Sequence, residues 1–309
     1  MRISTAAWYG GQTANMARLQ AETARLQENI ATGTRLRAAS DDPAASARAD
    51  RLAAREANVD LWAKNADTAA NRLTTSSEAL TNMSSDLVRI HELTLSAANE
   101  TLSPADRQVI AAEIEQLVGG LLTLANTKDA DGRYVFAGAA SDSPAFAEVG
   151  GVITYQGSGE PPRAPIAAER AVSVGDGGDG IFDVGGGRSI FTAAEDLLAT
   201  LRAVPAGAEE TDAQRTARRA GLDSALRDFE AAETSVGEAN ATQGARLAQI
   251  ETASERLAID RLDAVSARSA IEDTDITRAI VDLERKTTLL QAAQAGFTRI
   301  SSLSLFQRL

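Results

Sequence analysis

The chain has 309 residues, which is more than one domain usually holds, so we expect two or three segments with separate cores. Hydrophobic residues make up 44% of the chain but aromatic residues only 4%, which favours thin contacts between helices over one thick core. The net charge of −12 opposes binding to nucleic acid, no apolar run suits membrane insertion, and the absence of cysteine excludes disulfides and thiolate chemistry.

The first predicted element is an N-terminal helix. Apolar or small residues recur at alternating spacings of three and four, which is typical of a helix that packs along one seam. Glycine is a common helix stop, so we expect this helix to end at Gly33. Its stripe comprises Met16, Leu19, Thr23, Leu26 and Ile30.

A second and much longer helix is predicted from Pro43. Asp42 can cap the exposed backbone amides, and proline suits the first helical position, whose amide has no partner. Leucine, valine and alanine then recur every seven residues from Leu52 to Leu87, which predicts one helix of more than about fifty residues. A third helix, with a capping-box pattern at 103–106, should fold back on the second.

The character of the chain changes between about residues 129 and 190. Glycine and proline cluster there, with short β-type runs at 133–136, 152–155, 171–174 and 181–184. We expect a small β-rich insertion, whose strand order the sequence does not define.

Helices return after the insertion. A capping-box pattern at 192–195 predicts a short helix that stops before Pro205, and a longer helix follows from near Thr211. Its apolar residues again recur every seven positions, with Gln243 as the polar exception. The last helix begins after 273–275 and has two apolar stripes. They comprise Ile276, Ile280, Leu283, Leu289, Leu290, Phe297, Ile300 and Leu303.

This nearly mirror-symmetric order predicts a mainly α fold with a β-rich insertion (α+β). Long antiparallel helices form a coiled-coil-like bundle and bring the two ends together. We expect a coiled coil of the terminal helices from 1–39 with 270–309, a long-helix bundle from 40–130 with 192–269, and a β-rich domain at 131–191.

The terminal stripes are wider than one partner helix can cover, so we expect neighbouring molecules to cover them. The long inner seams are expected to be intramolecular. The predicted assembly interface comprises Met16, Leu19, Leu26, Ile30, Ile276, Ile280, Leu283, Leu290, Phe297, Ile300, Leu303, Leu305 and Phe306.

We expect no catalytic, cofactor-binding or metal site. Residues 175–180 match the dinucleotide fingerprint, but 181–184 should form a strand where that fold needs a helix, so a turn is favoured. The same stretch and residues 129–132 faintly resemble calcium loops, yet both lack the remaining ligands. His91 is the only histidine, so neither a zinc-protease site nor a nucleophile–base relay can be completed.

Four segments resemble the flagellins and hook-associated proteins: 40–45, 132–138, 237–247 and 303–306. Three of them are patterns that both groups share. Residues 132–138, followed by 141–146, look like the start of the outer domain of the hook-associated protein 3 family, and should form a short strand. The motif residues are Asp42, Pro43, Gly132, Tyr134, Phe136, Gly138, Gly244 and Arg246.

The resemblance implies a structural flagellar protein of the hook–filament junction, which is not an enzyme and needs no cofactor. It implies a ring of copies between hook-associated protein 1 and flagellin. It also implies export without a cleaved signal, through the flagellar type III apparatus and with an export chaperone. Flagellin itself is the nearest alternative, and a secreted coiled-coil adhesin or effector is a more distant one.

Overall fold

The computed structural model of the protein describes residues 2–158 and 161–306, and the side chains of residues 7–301 within those ranges. The side chains of Leu303, Leu305 and Phe306, which belong to the predicted interface, lie outside the described residues. The mainly α fold with a small β-rich part is confirmed. Its longer helices are α1 (Arg2–Thr32), α2 (Pro43–Ala97), α3 (Pro104–Ala125), α5 (Ile190–Arg202), α6 (Asp212–Glu272) and α7 (Ile276–Phe306).

Local capping signals account for where the helices start. Asp42 Oδ1 accepts a hydrogen bond from the Ala45 amide at 3.0 Å, directly before Pro43 opens α2. The predicted capping box of α3 is confirmed: Ser103 Oγ accepts from the Asp106 amide at 3.2 Å, and the Asp106 carboxylate accepts from the Ser103 amide at 3.1 Å.

The start predicted for α5 is wrong by a few residues. The helix begins at Ile190 and its cap is Ser189, whose Oγ accepts from the Thr192 amide at 3.2 Å. The sequence pattern pointed to a cap at Thr192, but the Thr192 amide already donates to Ser189. The buried side chains of Ile190 and Phe191 extend the helix toward its N-terminus.

Four short strands form two separate antiparallel hairpins. β1 (Phe146–Val149) pairs with β2 (Val152–Tyr155), the strand predicted at 152–155. β3 (Arg163–Ala167) pairs with β4 (Arg170–Ser173), one residue from the predicted 171–174.

The strands predicted at 133–136 and 181–184 do not form. Tyr134 makes one isolated antiparallel bridge with Lys128, in which the Val135 amide donates to Thr127 O, and its own amide donates to Ser141 O. A single bridge is too short to form a strand. Side chains 135–137 are buried in succession, without the alternation of a half-buried strand. Ile181 ends a one-turn helix, α4 (Gly178–Ile181).

The described fold divides into two compact units. The smaller unit takes in the chain up to Asn58 and from Asp260 onward, and the larger unit is Val59–Ile259. The predicted three-part division of the chain stays a prediction.

The larger unit contains two clusters of buried apolar side chains. The first joins α3, α5, the later part of α2 and the early part of α6 to the β1–β2 hairpin, with the Phe146 ring 5.0 Å from that of Phe191. The second joins α2 near Leu73 and α6 near Ile250 to the β3–β4 hairpin. Both hairpins therefore share their cores with helices.

Among the described residues, α3 is the one helix long and apolar enough, by length and composition, to cross a membrane. Its buried face, which includes Ile114 and Leu121, lies in the first apolar cluster. Its Arg107 side chain is 4% exposed and lies 3.6 Å from Glu210. One face of α3 therefore packs on the core of the larger unit.

We expect Phe229→Ala to lower the free energy of unfolding by about 3–5 kcal/mol, because the ring is fully buried in the first cluster. Val109, 71% exposed on α3, provides the control, since Val109→Ala should change stability by less than about 0.5 kcal/mol. Urea denaturation followed by circular dichroism measures both. Equal effects of the two changes would contradict this account of the core.

Candidate assembly interface

In the smaller unit, α1 and α7 run antiparallel. The rings of Tyr9 and Phe297 meet edge to face with centroids 5.6 Å apart. Glu22 is ion-paired with Lys286 further along α1, and Gly33 at the end of α1 lies beside the start of α7. Residues nearer the C-terminus of α1 thus contact residues nearer the N-terminus of α7, as expected for antiparallel helices.

The connections that follow α1 and precede α7 are hydrogen-bonded to each other. Gly33 O accepts from the Thr274 amide at 2.8 Å, and the Arg35 amide donates to Glu272 O at 2.6 Å. The Arg35 guanidinium donates to Ile271 O at 2.7 Å. Gly33 has a φ of 70°, which explains why glycine stands where the helix ends.

The first motif segment is a structural turn next to this joint. The Asp41 carboxylate accepts from the amides of Ala38 at 3.2 Å and Arg37 at 3.3 Å, and it lies 3.0 Å from Arg25 of α1. The hydrogen bonds from these amides, and then the charges of Arg25 and Arg37, hold the pKa of Asp41 below its ordinary value. Asp42 and Pro43 start α2, as described above.

The predicted interface residues differ in how far the single chain covers them. Ile276, Ile280 and Ile300 of α7 are exposed by 49%, 43% and 46%. The rest of the described set is half-buried along the α1–α7 seam. That half-buried set is Met16, Leu19, Leu26, Ile30, Leu283, Leu290 and Phe297.

Within the part of the smaller unit that the structure describes, no large apolar side chain is fully buried. Its buried apolar residues are alanines, at positions 49, 264 and 279, and Thr23 and Asn29 are the buried polar ones. The apolar surface of this helix pair therefore stays in contact with water in a single chain. The exposed large apolar residues of the unit are Trp8, Leu262, Ile276, Ile280, Val281, Leu289 and Ile300.

The other motif residues lie in the larger unit. The structure does not bring them to α1 and α7. Gly132 and Gly138 have φ angles of 78° and 63°, which only glycine adopts easily, and they bound the turns on either side of the buried Phe136. Tyr134 is half-buried, with Lys128 Nζ 4.7 Å from its ring centre.

Gly244 and Arg246 lie on α6. Gly244 is exposed, and nothing lies within 4 Å of where a Cβ would stand. Arg246 Nη1 donates to Asp176 Oδ1 at 2.8 Å and to Gly175 O at 3.3 Å. Arg246 therefore holds the glycine-rich loop against α6.

The sequence analysis did not predict one buried ion pair. Arg72 Nη1 donates to Asp129 Oδ2 at 2.6 Å, and both side chains are about nine-tenths buried. Asp129 Oδ1 also accepts from the amides of Asp131 and Arg133, so residues 129–132 form the expected turn. The only sequence signal for the pair is a charged residue beside Leu73 in an otherwise apolar seam.

The remaining chemical candidates are occupied by protein contacts. His91 Nδ1 lies 3.1 Å from Glu233 Oε1. Among the described residues, no group of three or more His, Asp or Glu side chains is arranged to hold a metal ion.

Known proteins resemble this chain over all or most of its length. Residues 3–141 match the model of the bacterial flagellin N-terminal helical region. The chain is 30% identical to flagellar hook-associated protein 3 of Escherichia coli (strain K12), over 99% of each chain.

Two solved structures share the fold. FlgL of Xanthomonas campestris superposes with a TM-score of 0.64 at 21% identity, covering 72% of this chain and 99% of that one. The flagellar junction protein FlgL from Legionella pneumophila gives a TM-score of 0.59 at 20% identity, covering 74% and 100%.

The Glu22–Lys286 pair should make the contact between α1 and α7 sensitive to acid. Lys286, by its hydrogen bond and then its charge, lowers the pKa of Glu22 below the ordinary 4.5. The stabilisation is therefore present above pH 4.5 and is lost as the pH falls through the lowered pKa. We expect Glu22→Gln to remove the weakening of the α1–α7 contact that protonation of Glu22 causes in acid.

Energy transfer between dyes on Ala14→Cys and Gln291→Cys measures the contact, because the chain has no other cysteine. Glu284→Gln, an exposed change on α7, is the matched control and should keep the response of the parent. An identical acid response in Glu22→Gln and the parent would show that the ion pair does not hold the helices together.

Proposed function

The chain belongs to the flagellar hook-associated protein 3 family, and we propose that its copies assemble by covering the apolar side chains that α1 and α7 leave exposed. Membership of this family makes the chain an exported structural component of the bacterial flagellum, located at the junction between hook and filament. The match to the flagellin N-terminal region agrees with this role.

The observation that carries the proposal is the lack of a core between α1 and α7 in the described residues. A helix pair whose buried described side chains are one alanine, Ala279, and two polar residues, Thr23 and Asn29, gains little from packing, and isolated helices are marginal in water. Covering one large aliphatic side chain contributes about 1.5–3 kcal/mol. Assembly can therefore supply the stability that a single chain lacks here.

The exposed residues of α7 flank the side that meets α1. With about 100° of rotation per residue, Ile280 lies on one side of the row through Leu290 and Phe297, and Leu289 and Ile300 lie on the other. One neighbouring helix cannot cover both sides. A ring, in which each copy meets a neighbour on either side, supplies two.

The proteins that such a ring contacts are also part of the proposal. We infer that the ring meets hook-associated protein 1 on one side and flagellin on the other. The flagellin-like pattern over residues 3–141 supports the second contact, because α1, α2 and α3 can then continue the packing of a flagellin layer. Export would use the flagellar type III apparatus and a chaperone, without a cleaved signal and without catalysis at any stage.

We also keep the three-part organisation as a proposal: terminal helices at 1–39 and 270–309, a long-helix bundle at 40–130 and 192–269, and a β-rich part at 131–191. The hydrogen-bonded connections around Gly33 and Thr274 support the first boundary, since both helix breaks fall there.

We expect Leu289→Asp to leave the isolated chain folded but to abolish its incorporation into flagella. Leu289 is 50% exposed and lies outside the row that faces α1, whereas Leu290 and Phe297 belong to that row. A carboxylate buried without a partner costs several kcal/mol, at every repeat of the contact. Circular dichroism checks the fold, and motility with electron microscopy checks incorporation.

Val109→Asp is the matched control, because Val109 is an exposed apolar residue of the larger unit. It should support normal swimming. Full motility of the Leu289→Asp strain, or equal loss in both strains, would overturn the assignment of the surface to α7.

A further inference from the structure

A layer of polar side chains lies where the two apolar clusters of the larger unit adjoin. On α2 it occupies residue 72 and residues 76–77, on either side of Leu73 of the second cluster and before the first cluster begins at Ala79, and on α6 it occupies residues 240–246. We call it the polar layer. Its members are Arg72, Ser76, Ser77, Asp129, Asp176, Asn240, Gln243 and Arg246.

Part of the polar layer joins α2 directly to α6. Gln243 is fully buried, and its Nε2 donates to Ser76 Oγ at 2.8 Å. One turn away, Ser77 Oγ donates to Asn240 Oδ1 at 2.6 Å, and Asn240 Nδ2 donates to Thr81 Oγ1 at 3.3 Å. Each of these hydrogen bonds can form at only one axial position of α6 relative to α2.

Two arginines of the polar layer hold the two ends of residues 129–176, the β-rich segment that contains both hairpins. On the incoming side, Arg72 of α2 binds Asp129 and donates to Tyr134 O at 2.9 Å. On the outgoing side, Arg246 of α6 binds Gly175 O and Asp176.

The two ends of the β-rich segment also contact each other. The Gly178 amide donates to Phe136 O at 2.8 Å. At Gly175 a Cβ would stand 3.2 Å from Val135 O and 3.8 Å from Arg72 Nε, so the ends cross closely. A shift of α6 along α2 would pull these linked contacts apart.

The polar layer is a poor means of stabilising a core. Arg72 Nε, Asp176 Oδ2 and Gln243 Oε1 are buried and have no hydrogen-bond partner among the described residues. Well-packed apolar residues often replace such groups with no loss of stability. In coiled coils, by contrast, a polar residue in an apolar seam fixes the register of the helices.

Alanines are interspersed among the larger apolar residues of the seam on either side of the polar layer. Ala66, Ala69 and Ala79 of α2, with Ala225, Ala232 and Ala253 of α6, are buried. Alanines present nearly the same surface after a shift of one turn, so at these positions apolar packing distinguishes the registers weakly.

We propose that the polar layer fixes the axial register of α2 against α6 and, through Arg72 and Arg246, the place of the β-rich segment on both helices. The inference is independent of α1 and α7. Its failure would leave the proposed assembly surface unaffected.

The test removes the polar layer's links to α6 from the full chain with Ser76→Ala, Ser77→Ala, Asn240→Ala, Gln243→Leu, Asp176→Asn and Arg246→Met. Cysteine pairs that a short bifunctional thiol reagent can join then report the register, since the chain has no cysteine of its own. His91→Cys with Glu233→Cys reports the register seen here, where His91 Nδ1 lies 3.1 Å from Glu233 Oε1. His91→Cys with Gly237→Cys reports a shift of one turn.

In the parent, only the first pair should be cross-linked. In the variant we expect the second pair to be cross-linked to a comparable extent, with a melting temperature within about 4 °C of the parent's. Thr94→Val is the control: Thr94 is a buried hydroxyl that bonds only within α2, to Ile90 O at 2.8 Å, and its loss should not shift the register.

A variant in which only the first pair is cross-linked, with a lower melting temperature, would show that the polar layer stabilises without setting register. If this variant does not fold, Ser76→Ala and Ser77→Ala with Asn240→Ala and Gln243→Leu repeat the test with both arginine contacts intact. Cross-linking of the shifted pair then supports the proposal, and its absence contradicts it.

Discussion

The packing of α1 against α7 determines which apolar side chains of the terminal helices remain exposed to water. Among the described residues, the pair buries Ala279 and two polar side chains, while large aliphatic residues stay at the surface. The larger unit has the opposite character, because phenylalanine, leucine and isoleucine fill its first cluster. Stability is therefore unevenly distributed: the larger unit has a core of large apolar side chains, and the described part of the smaller unit does not.

The sequence predicted well those features that depend on residues close together in the chain. Gly33, Pro43 and Ser103 mark helix ends because capping and helix termination involve only a few neighbouring residues. The heptad pattern likewise defined α2 and α6. Features that depend on distant contacts were missed or mistaken: the strand expected at 133–136 gave way to a run of consecutively buried residues, and Arg72 meets Asp129 from 57 positions away. The stripe on α7 was visible in sequence, but which of its members remain exposed depends on what α1 covers.

Most of the motif residues that carry the family resemblance fix the backbone conformation of their own chain. Asp42 caps a helix, Gly132 and Gly138 adopt positive φ, and Arg246 binds a loop carbonyl. None of these contacts requires another molecule. The motifs thus identify a fold, while the surface that could serve assembly consists of ordinary aliphatic residues with no distinctive pattern beyond their spacing.

The ion pair between Glu22 and Lys286 joins residues 264 positions apart. Helix α1 comes from the beginning of the chain and α7 from its end, so their contact closes a loop that contains nearly every other residue. Whichever end is threaded first through a narrow channel, the two helices cannot meet until the opposite end has also emerged. If copies assemble through α1 and α7 as proposed, a copy still in transit would lack the paired helices, and chain topology alone would prevent association inside the channel.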